Sequence, residues 1–206
     1  MSKIRILIAD DHAVVRMGLS ALFSAKKDLE VVGQAKNGEA AVRETLRLRP
    51  DVVIMDLMMP KKDGIEATRE IRQKSPEARI VVLTSYATSD GIVQALEAGA
   101  AGAVMKSAEN AELITAIRKV AGGERYVSSE IKDLLDSDPP ISSLTGRQSE
   151  VLQSLSLGLT NKDIARLLGI SERMVEEHIE SLFQKIGAAN RAEAVAIALR
   201  KHLLKT

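Results

Sequence analysis

The sequence predicts an α/β domain with a doubly wound, five-stranded parallel sheet, followed by a small all-α domain of four helices. Two observations support this prediction. Short β-branched runs alternate with amphipathic helical segments over the first 120 residues, which is the order expected of a parallel sheet. Each run is nearly all apolar, which is typical of strands covered by helices on both faces.

Strand and helix patterns follow one another regularly in this first region. The predicted strands are 4–10, 30–35, 51–56, 79–84 and 101–105. The predicted helices are 12–25, 37–48, 64–74, 88–98 and 110–121. Gly122 and Gly123 end the last of these helices, as glycine commonly does. In a doubly wound sheet, the functional site lies at the carboxyl ends of the strands.

A linker separates the two predicted domains. A short helix is predicted at about 129–136, and the segment "SDPPISS" follows it. Two successive prolines cannot continue a helix. We therefore assign residues 1–122 to the first domain, 123–143 to the linker and 144–206 to the second domain.

The second domain shows only helical patterns. Its predicted helices are 146–157, 161–168, 172–186 and 191–203. Thr145, Thr160 and Ser171 precede the first three of them, and threonine and serine are preferred N-cap residues. Apolar residues recur at helical spacing throughout these segments, so four helices with a common core are expected.

Charge and composition exclude several classes of protein. The formal net charge is +1, so bulk electrostatics does not indicate nucleic-acid binding. The absence of Cys excludes a disulfide framework and a Cys-ligated metal. No apolar run is long enough to span a bilayer, and the N-terminus enters a strand pattern without a signal-peptide core. We therefore expect a cytoplasmic protein with no membrane partner.

Polar side chains end four of the five predicted strands. Asp10 and Asp11 end the first strand, Asp56 the third and Thr84 the fourth, and Lys106 follows the fifth. Three carboxylates at one sheet edge repel each other unless a cation lies among them, and oxygen ligands suit Mg²⁺. The hydroxyl and the ammonium complete a set that suits phosphoryl transfer to a carboxylate. Any one of these residues could be a helix cap or a surface charge, but five at matching strand ends favour a site.

The motifs at these strand ends carry a resemblance to a known family. "IADDH", "IMDLMMPKKDG", "LTSY" and "AGAVMK" resemble, in order and spacing, the receiver domains of bacterial response regulators, which have a flavodoxin-like fold. The resemblance implies that Asp56 accepts a phosphoryl group from a sensor histidine kinase and that Asp10, Asp11 and Asp56 hold Mg²⁺. It also implies that Thr84 and Lys106 sense the phosphoryl group.

Two positions depart from the receiver pattern. Receivers often carry a Tyr or Phe on the fifth strand that turns inward on phosphorylation, and this chain has Ala103 there. Many receivers have Pro after the strand-end lysine, and this chain has Ser107. An aromatic switch at position 103 is therefore not expected.

The second domain resembles the LuxR-type helix-turn-helix of the NarL/FixJ response regulators. The resemblance rests on features such as "LTGRQSEVL", "TNKDIA" and "KIGAANRAEAV". It implies that residues 172–186 form the recognition helix, which enters the DNA major groove in proteins of this kind. It also implies promoter DNA as a partner and a homodimer when the protein is phosphorylated.

The predicted recognition helix is unusually acidic. Where the family usually has Thr-Val-Lys, this chain has Met174-Val175-Glu176. In the geometry that the family implies, Glu176, Glu177 and Glu180 face the groove. Replacing Lys by Glu exchanges an attraction to phosphate for a repulsion, and phosphate contacts dominate DNA affinity.

Three accounts of this helix are open. In the first, Glu accepts a hydrogen bond from cytosine N4 while neighbouring basic residues hold phosphates. In the second, DNA binding is weak and needs a phosphorylation-driven dimer. In the third, the helix binds protein. The basic residues of the first account are Lys162, Arg166, Arg173, Lys185 and Arg191.

These observations together predict a two-component response regulator that regulates transcription and is not a turnover enzyme. One alternative is a signalling adaptor whose acidic helix-turn-helix domain binds protein. A second is a small phosphatase with an Asp nucleophile, although the cap domain and further acid/base residues usual in such enzymes are missing from the sequence.

Overall fold

A computed structural model describes residues 3–85, 88–138, 140, 144–201 and 203–204. The chain divides into two compact units. The larger unit contains nearly all of the residues up to Asp138, and the smaller unit contains all of the residues after it. Each unit is described below by itself.

The larger unit contains a parallel sheet. Within the described residues the sheet has six strands in the order β2-β1-β3-β4-β5-β6. The strands are β1 (Ile4–Ala9), β2 (Leu29–Ala35), β3 (Val52–Met55), β4 (Arg79–Thr84), β5 (Gly102–Met105) and β6 (Tyr126–Val127). The predicted fold class is confirmed, and one short strand is added to the five that the sequence predicts.

Helices follow the strands. Those up to the unit boundary are α1 (Ala13–Ser24), α2 (Gly38–Leu48), α3 (Gly64–Lys74), α4 (Ser89–Glu97), α5 (Asn110–Ala121) and α6 (Ser129–Ser137). Alternate strand residues serve two separate cores. Leu7 and Ala9 belong to the core that includes residues of α2 and α3, whereas Ile6 and Ile8 belong to the core that includes residues of α5. Both faces of β1 are therefore apolar, as the sequence predicts.

The sixth strand and α6 extend the unit beyond the five βα repeats. Val127 of β6 pairs in register with Ala103 of β5, and Ser128 N donates a hydrogen bond to the Ala103 carbonyl at 3.1 Å. Ile131 of α6 is fully buried and lies in the same apolar cluster as Ala103. The segment between the fifth helix and the prolines therefore packs on the larger unit.

Strand register brings the polar residues to one edge. Ala9 and Met55 are paired at the carboxyl ends of β1 and β3, so the next residues, Asp10 and Asp56, are neighbours. The backbone after Asp56 turns back tightly. A Cβ on Gly64 would lie 2.0 Å from the Asp56 carbonyl oxygen, so only glycine fits this close approach.

The smaller unit contains four helices within the described residues. They are α7 (Gly146–Ser156), α8 (Asn161–Leu168), α9 (Glu172–Ile186) and α10 (Arg191–Arg200). The predicted N-caps are confirmed, since the side chains of Thr145, Thr160 and Ser171 each accept a backbone N–H. Their shared core includes Val151, Ile164, Val175, Leu182 and Ala198. No helix in the described ranges is long and apolar enough to cross a membrane.

Candidate functional site

Lys106 joins two buried carboxylates at the carboxyl edge of the sheet. Its Nζ lies 2.7 Å from Oδ2 of Asp10 and 2.8 Å from Oδ2 of Asp56. Asp10 and Asp56 are 2% and 4% exposed. A buried charge needs a partner, and the single ammonium serves both acids. Three of the sequence-predicted site residues are therefore in direct contact.

Burial and pairing act in opposite directions on these groups. Burial raises the pKa of Asp56 above its ordinary value, and the hydrogen bond from Lys106 offsets only part of this effect. Burial alone would lower the pKa of Lys106, but its hydrogen bonds to Asp10 and Asp56 outweigh burial and raise that pKa. Lys106 is therefore held in its charged form, next to a carboxylate that is costly to ionise.

Asp11 and His12 complete an acidic cluster around this pair. One ligand atom from each of Asp10, Asp11, His12 and Asp56 lies within 4.8 Å of the others. Nδ1 of His12 is 2.8 Å from Oδ1 of Asp11. Carboxylate oxygens converging in this way fit a hard divalent cation such as Mg²⁺. His12 was not among the predicted site residues, although its place directly after Asp11 was a usable signal.

The Thr84 hydroxyl is available to a ligand. Thr84 ends β4 and is fully buried, and within the described residues its Oγ1 has no hydrogen-bond partner. The Thr84 carbonyl accepts a hydrogen bond from the backbone N–H of Lys106 at 2.8 Å. A buried hydroxyl without a partner is costly, so this orphaned group fits a site that is completed by an incoming oxygen.

The smaller unit has an acidic surface on α9. Val175 and Leu182 point into the core, whereas Glu176, Glu177 and Glu180 are exposed. Glu177 pairs with Arg173 at 3.2 Å. Within the described residues, Glu176 and Glu180 form no ion pair, so their carboxylates are available to a partner.

The predicted basic residues fall into two groups. Lys162 and Arg166 are exposed one turn apart on α8, and Arg166 lies 3.7 Å from Asp163. Lys185 and Arg191 form the second group, and each donates a hydrogen bond within the smaller unit. Lys185 Nζ donates to Oε1 of Gln148 at 3.4 Å, and the Arg191 guanidinium donates to the carbonyl of Leu159. Arg191 therefore has a structural role whatever else it contacts.

Fold and site together define the class of two-domain response regulators. Residues 6–118 match the family model described as "Response regulator receiver domain", and residues 142–198 match "Bacterial regulatory proteins, luxR family". The chain belongs to the two-component response regulators with a LuxR-type helix-turn-helix, the NarL/FixJ family. The fold class and domain types predicted from the sequence are thereby confirmed.

Bacterial regulatory proteins are similar to this chain over nearly their whole length. The transcriptional regulatory protein LiaR of Bacillus subtilis is 38% identical, with 98% of this chain and 99% of the relative covered. The oxygen regulatory protein NreC of Staphylococcus epidermidis is 36% identical, with 98% and 99% covered.

Solved structures of response regulators are also similar to this chain over nearly its whole length. The response regulator ChrA of a heme-sensing two-component system has a TM-score of 0.60 and 33% identity, and covers 99% of this chain and 100% of its own. RcsB of Salmonella enterica serovar Typhimurium, bound to promoter P1flhDC in the presence of phosphomimetic BeF3-, has a TM-score of 0.74 and 25% identity. That match covers 97% of this chain and 99% of RcsB.

Proposed function

We propose that Asp56 accepts a phosphoryl group from a phosphohistidine of a sensor histidine kinase and that this event controls promoter binding by the second domain. The observation that carries the proposal is the contact of Lys106 with both Asp10 and Asp56 at 2.7 and 2.8 Å. A cation between a candidate nucleophile and a candidate metal ligand matches what phosphoryl transfer requires.

The proposed transfer assigns a role to each residue of the pocket. An Asp56 carboxylate oxygen attacks phosphorus, and the bond from phosphorus to the donor imidazole nitrogen breaks, with its electron pair remaining on nitrogen. Mg²⁺, held by Asp10, Asp11 and Asp56, would neutralise charge on the phosphoryl oxygens. Lys106 then turns from the Asp56 carboxylate to a phosphoryl oxygen, and the Thr84 hydroxyl donates to another.

Phosphorylation with a small donor tests this proposal directly. The full chain is incubated with acetyl phosphate, with and without Mg²⁺, and its mass is measured. We expect a gain of one phosphoryl group that requires Mg²⁺ and is absent in Asp56→Asn. Equal labelling of Asp56→Asn would overturn the assignment of the acceptor. Sustained release of phosphate from small phosphoesters would instead support a phosphatase.

We propose that α9 is the DNA recognition helix. Lys162, Arg166 and Arg173 are exposed and would hold phosphates, with smaller contributions from Lys185 and Arg191, which already bond within the unit. Glu176 and Glu180 would accept hydrogen bonds from base donors, of which cytosine N4 is the usual partner of Glu. Glu177, paired with Arg173, would moderate the charge of that arginine.

A homodimer fits this role. Twofold proteins of this kind bind paired half-sites. Leu199 of α10 is 61% exposed. A large apolar side chain on the surface supports a contact with a second copy of the chain. Light scattering with and without BeF₃⁻ tests the dimer, which we expect only in the BeF₃⁻-treated protein.

A second candidate function is favoured by the three exposed glutamates of α9. An adaptor that binds basic protein partners would use the same face without DNA. Selection from random DNA sequences separates the two, using the phosphorylated full-length chain and its Glu176→Lys and Glu180→Lys variants. Enrichment of a defined site by the native chain supports the DNA proposal. Enrichment by the variants alone supports the adaptor.

A further inference from the structure

Arg16 ties the first helix to the end of the first strand. It lies in the first turn of α1 and is half-buried. Its Nη1 donates a hydrogen bond to the main-chain carbonyl of Asp10 at 2.7 Å. The side chain of the N-cap residue His12 caps no backbone N–H. The Arg16 bond therefore adds to the one other side-chain restraint described at this helix start, the hydrogen bond from the His12 N–H to the Asp10 carboxylate.

The Arg16 bond completes the hydrogen bonding of Asp10. The Asp10 backbone N–H donates to Ala35 at 3.1 Å. Its Oδ1 accepts from the His12 N–H at 2.7 Å, and its Oδ2 lies 2.7 Å from Lys106 Nζ. The main-chain carbonyl is the remaining polar group, and Arg16 occupies it. Asp10 is therefore held at both its side chain and its backbone.

The carbonyl that Arg16 holds is part of the peptide that leads into Asp11. A peptide group is planar, so fixing its oxygen fixes the direction in which the chain enters Asp11. Asp11 itself has little other restraint. Its side chain is 32% exposed, and within the described residues its close polar neighbour is the ring of His12, which is 67% exposed.

We propose that Arg16 is a positioning residue that orients Asp11 for Mg²⁺. This inference rests on the proposed Mg²⁺ site. Groups that orient a metal-ligand residue by hydrogen bonding to it, without touching the metal, commonly contribute about 10–100-fold to metal affinity. Arg16 acts here through the backbone, because its bond is to the carbonyl of Asp10 and not to a carboxylate.

Whether removal of Arg16 weakens or tightens Mg²⁺ binding distinguishes a positioning role from a purely electrostatic one. Removing a positive group near a cation site should tighten Mg²⁺ binding if the guanidinium acts only through its charge. Removing a positioning group should weaken it. A merely structural role would lower thermal stability and leave the Mg²⁺ dissociation constant unchanged.

The experiment measures Mg²⁺ binding to the full-length chain, without a phosphoryl donor, from the backbone amide shifts in NMR spectra. We expect Arg16→Ala to raise the dissociation constant about tenfold. Arg16→Lys should recover part of the loss, because an ammonium can reach the same carbonyl with fewer donors. The matched control is Arg43→Ala, which removes an arginine that is 68% exposed on α2 and should leave the constant unchanged.

An unchanged or lower dissociation constant in a folded Arg16→Ala protein overturns the inference and leaves the proposed Mg²⁺ site intact. If the native chain itself binds no Mg²⁺, the proposed site fails and the inference fails with it. If Arg16→Ala does not fold, Arg16→Met decides, because it keeps an apolar side chain of similar length and removes the donors, and native affinity in that variant overturns the inference. As a second readout, the Mg²⁺ concentration for half-maximal phosphorylation should rise by the same factor, with the rate at saturating Mg²⁺ nearly unchanged.

Discussion

The ammonium of Lys106 lies 2.8 Å from the carboxylate of Asp56, and both groups are largely buried. The pairing only partly offsets the cost of burial, so the pKa of Asp56 remains above its ordinary value. In the metal-free protein, an ionised Asp56 therefore weakens the fold at neutral pH. The proposed phosphoryl acceptor Asp56 therefore lowers the stability of the folded protein, a trade-off with function that is common at functional sites.

Asp56→Asn should raise the stability of the metal-free chain at pH 7. The raised pKa means that the folded state holds its proton more tightly than the unfolded state, so native stability is greatest below the unfolded pKa and falls as pH rises through the folded pKa. Asparagine resembles the protonated acid and avoids this loss. The gain over the native chain should shrink as pH falls towards 3.8, the ordinary value for Asp.

Thermal unfolding in EDTA from pH 4 to pH 8 checks this prediction. Asp136→Asn, on the exposed side of α6, is the control and should show no such dependence. A gain that is the same at every pH would mean that Asp56 ionisation is not the cause.

Thr84→Val should stabilise the protein but uncouple it from phosphorylation. The Thr84 hydroxyl is buried, and within the described residues it has no partner, so replacing it by a methyl group should gain about 1 kcal/mol. The same change removes the donor proposed for the phosphoryl oxygen. In a typical coupled system, BeF₃⁻ treatment would raise the DNA affinity about fivefold or more. In Thr84→Val, BeF₃⁻ should leave the DNA affinity almost unchanged.

Thr68→Val is a closely matched control for this variant. Thr68 lies on α3 and also has a buried hydroxyl without a partner in the described chain. It should show a similar gain in denaturant unfolding and a normal response to BeF₃⁻. A normal response in Thr84→Val as well would remove Thr84 from the sensing role.

The proximity of Asp10 and Asp56 could be predicted from the sequence because each of these two acids directly follows an apolar strand. Once β1 and β3 are recognised, parallel register brings Asp10 and Asp56 together. The Arg16 bond could not be predicted in this way, because its partner is a main-chain carbonyl. Nothing in the residue pattern indicates that an arginine on a helix turns back to the preceding strand.

The sixth strand was missed for a different reason. Tyr126 and Val127 form a strand of two residues, which is too short for a periodic pattern. Its partner is β5, and α6 begins two residues later, with Ile131 in the same apolar cluster as Ala103. Only the tertiary contact shows that this helix belongs to the core of the larger unit.

Ile131→Ala should destabilise the larger unit by about 2–4 kcal/mol, because it leaves a cavity in a packed core. Ile131 is fully buried although it lies in the segment assigned to the linker. Guanidinium unfolding followed by circular dichroism measures the change, and NMR signals of β5 identify which transition moves. The neighbouring Lys132 is exposed, so Lys132→Ala should have little effect. If both variants behave alike, the contact of α6 with the sheet does not contribute to stability.

Glu176→Lys and Glu180→Lys should make non-specific DNA binding tighter and more dependent on salt. Both carboxylates are exposed on α9 and form no ion pair within the described residues. A lysine in either place can neutralise a phosphate, which steepens the plot of log affinity against log salt by about 0.9 for each contact. The measurement is fluorescence anisotropy with one labelled duplex at several salt concentrations, using the phosphorylated chain.

Glu124→Lys is the control for net charge, since Glu124 is exposed in the larger unit and its substitution changes the charge equally. If it steepens the slope as much as the α9 variants, the effect is one of total charge. A slope that changes only in the α9 variants places this helix against DNA.

The native glutamates then weaken binding to phosphates in general and favour bases that offer a donor in the groove. An acidic recognition helix would in that case lower non-specific affinity more than specific affinity, and so raise the ratio that decides selectivity among genomic sites.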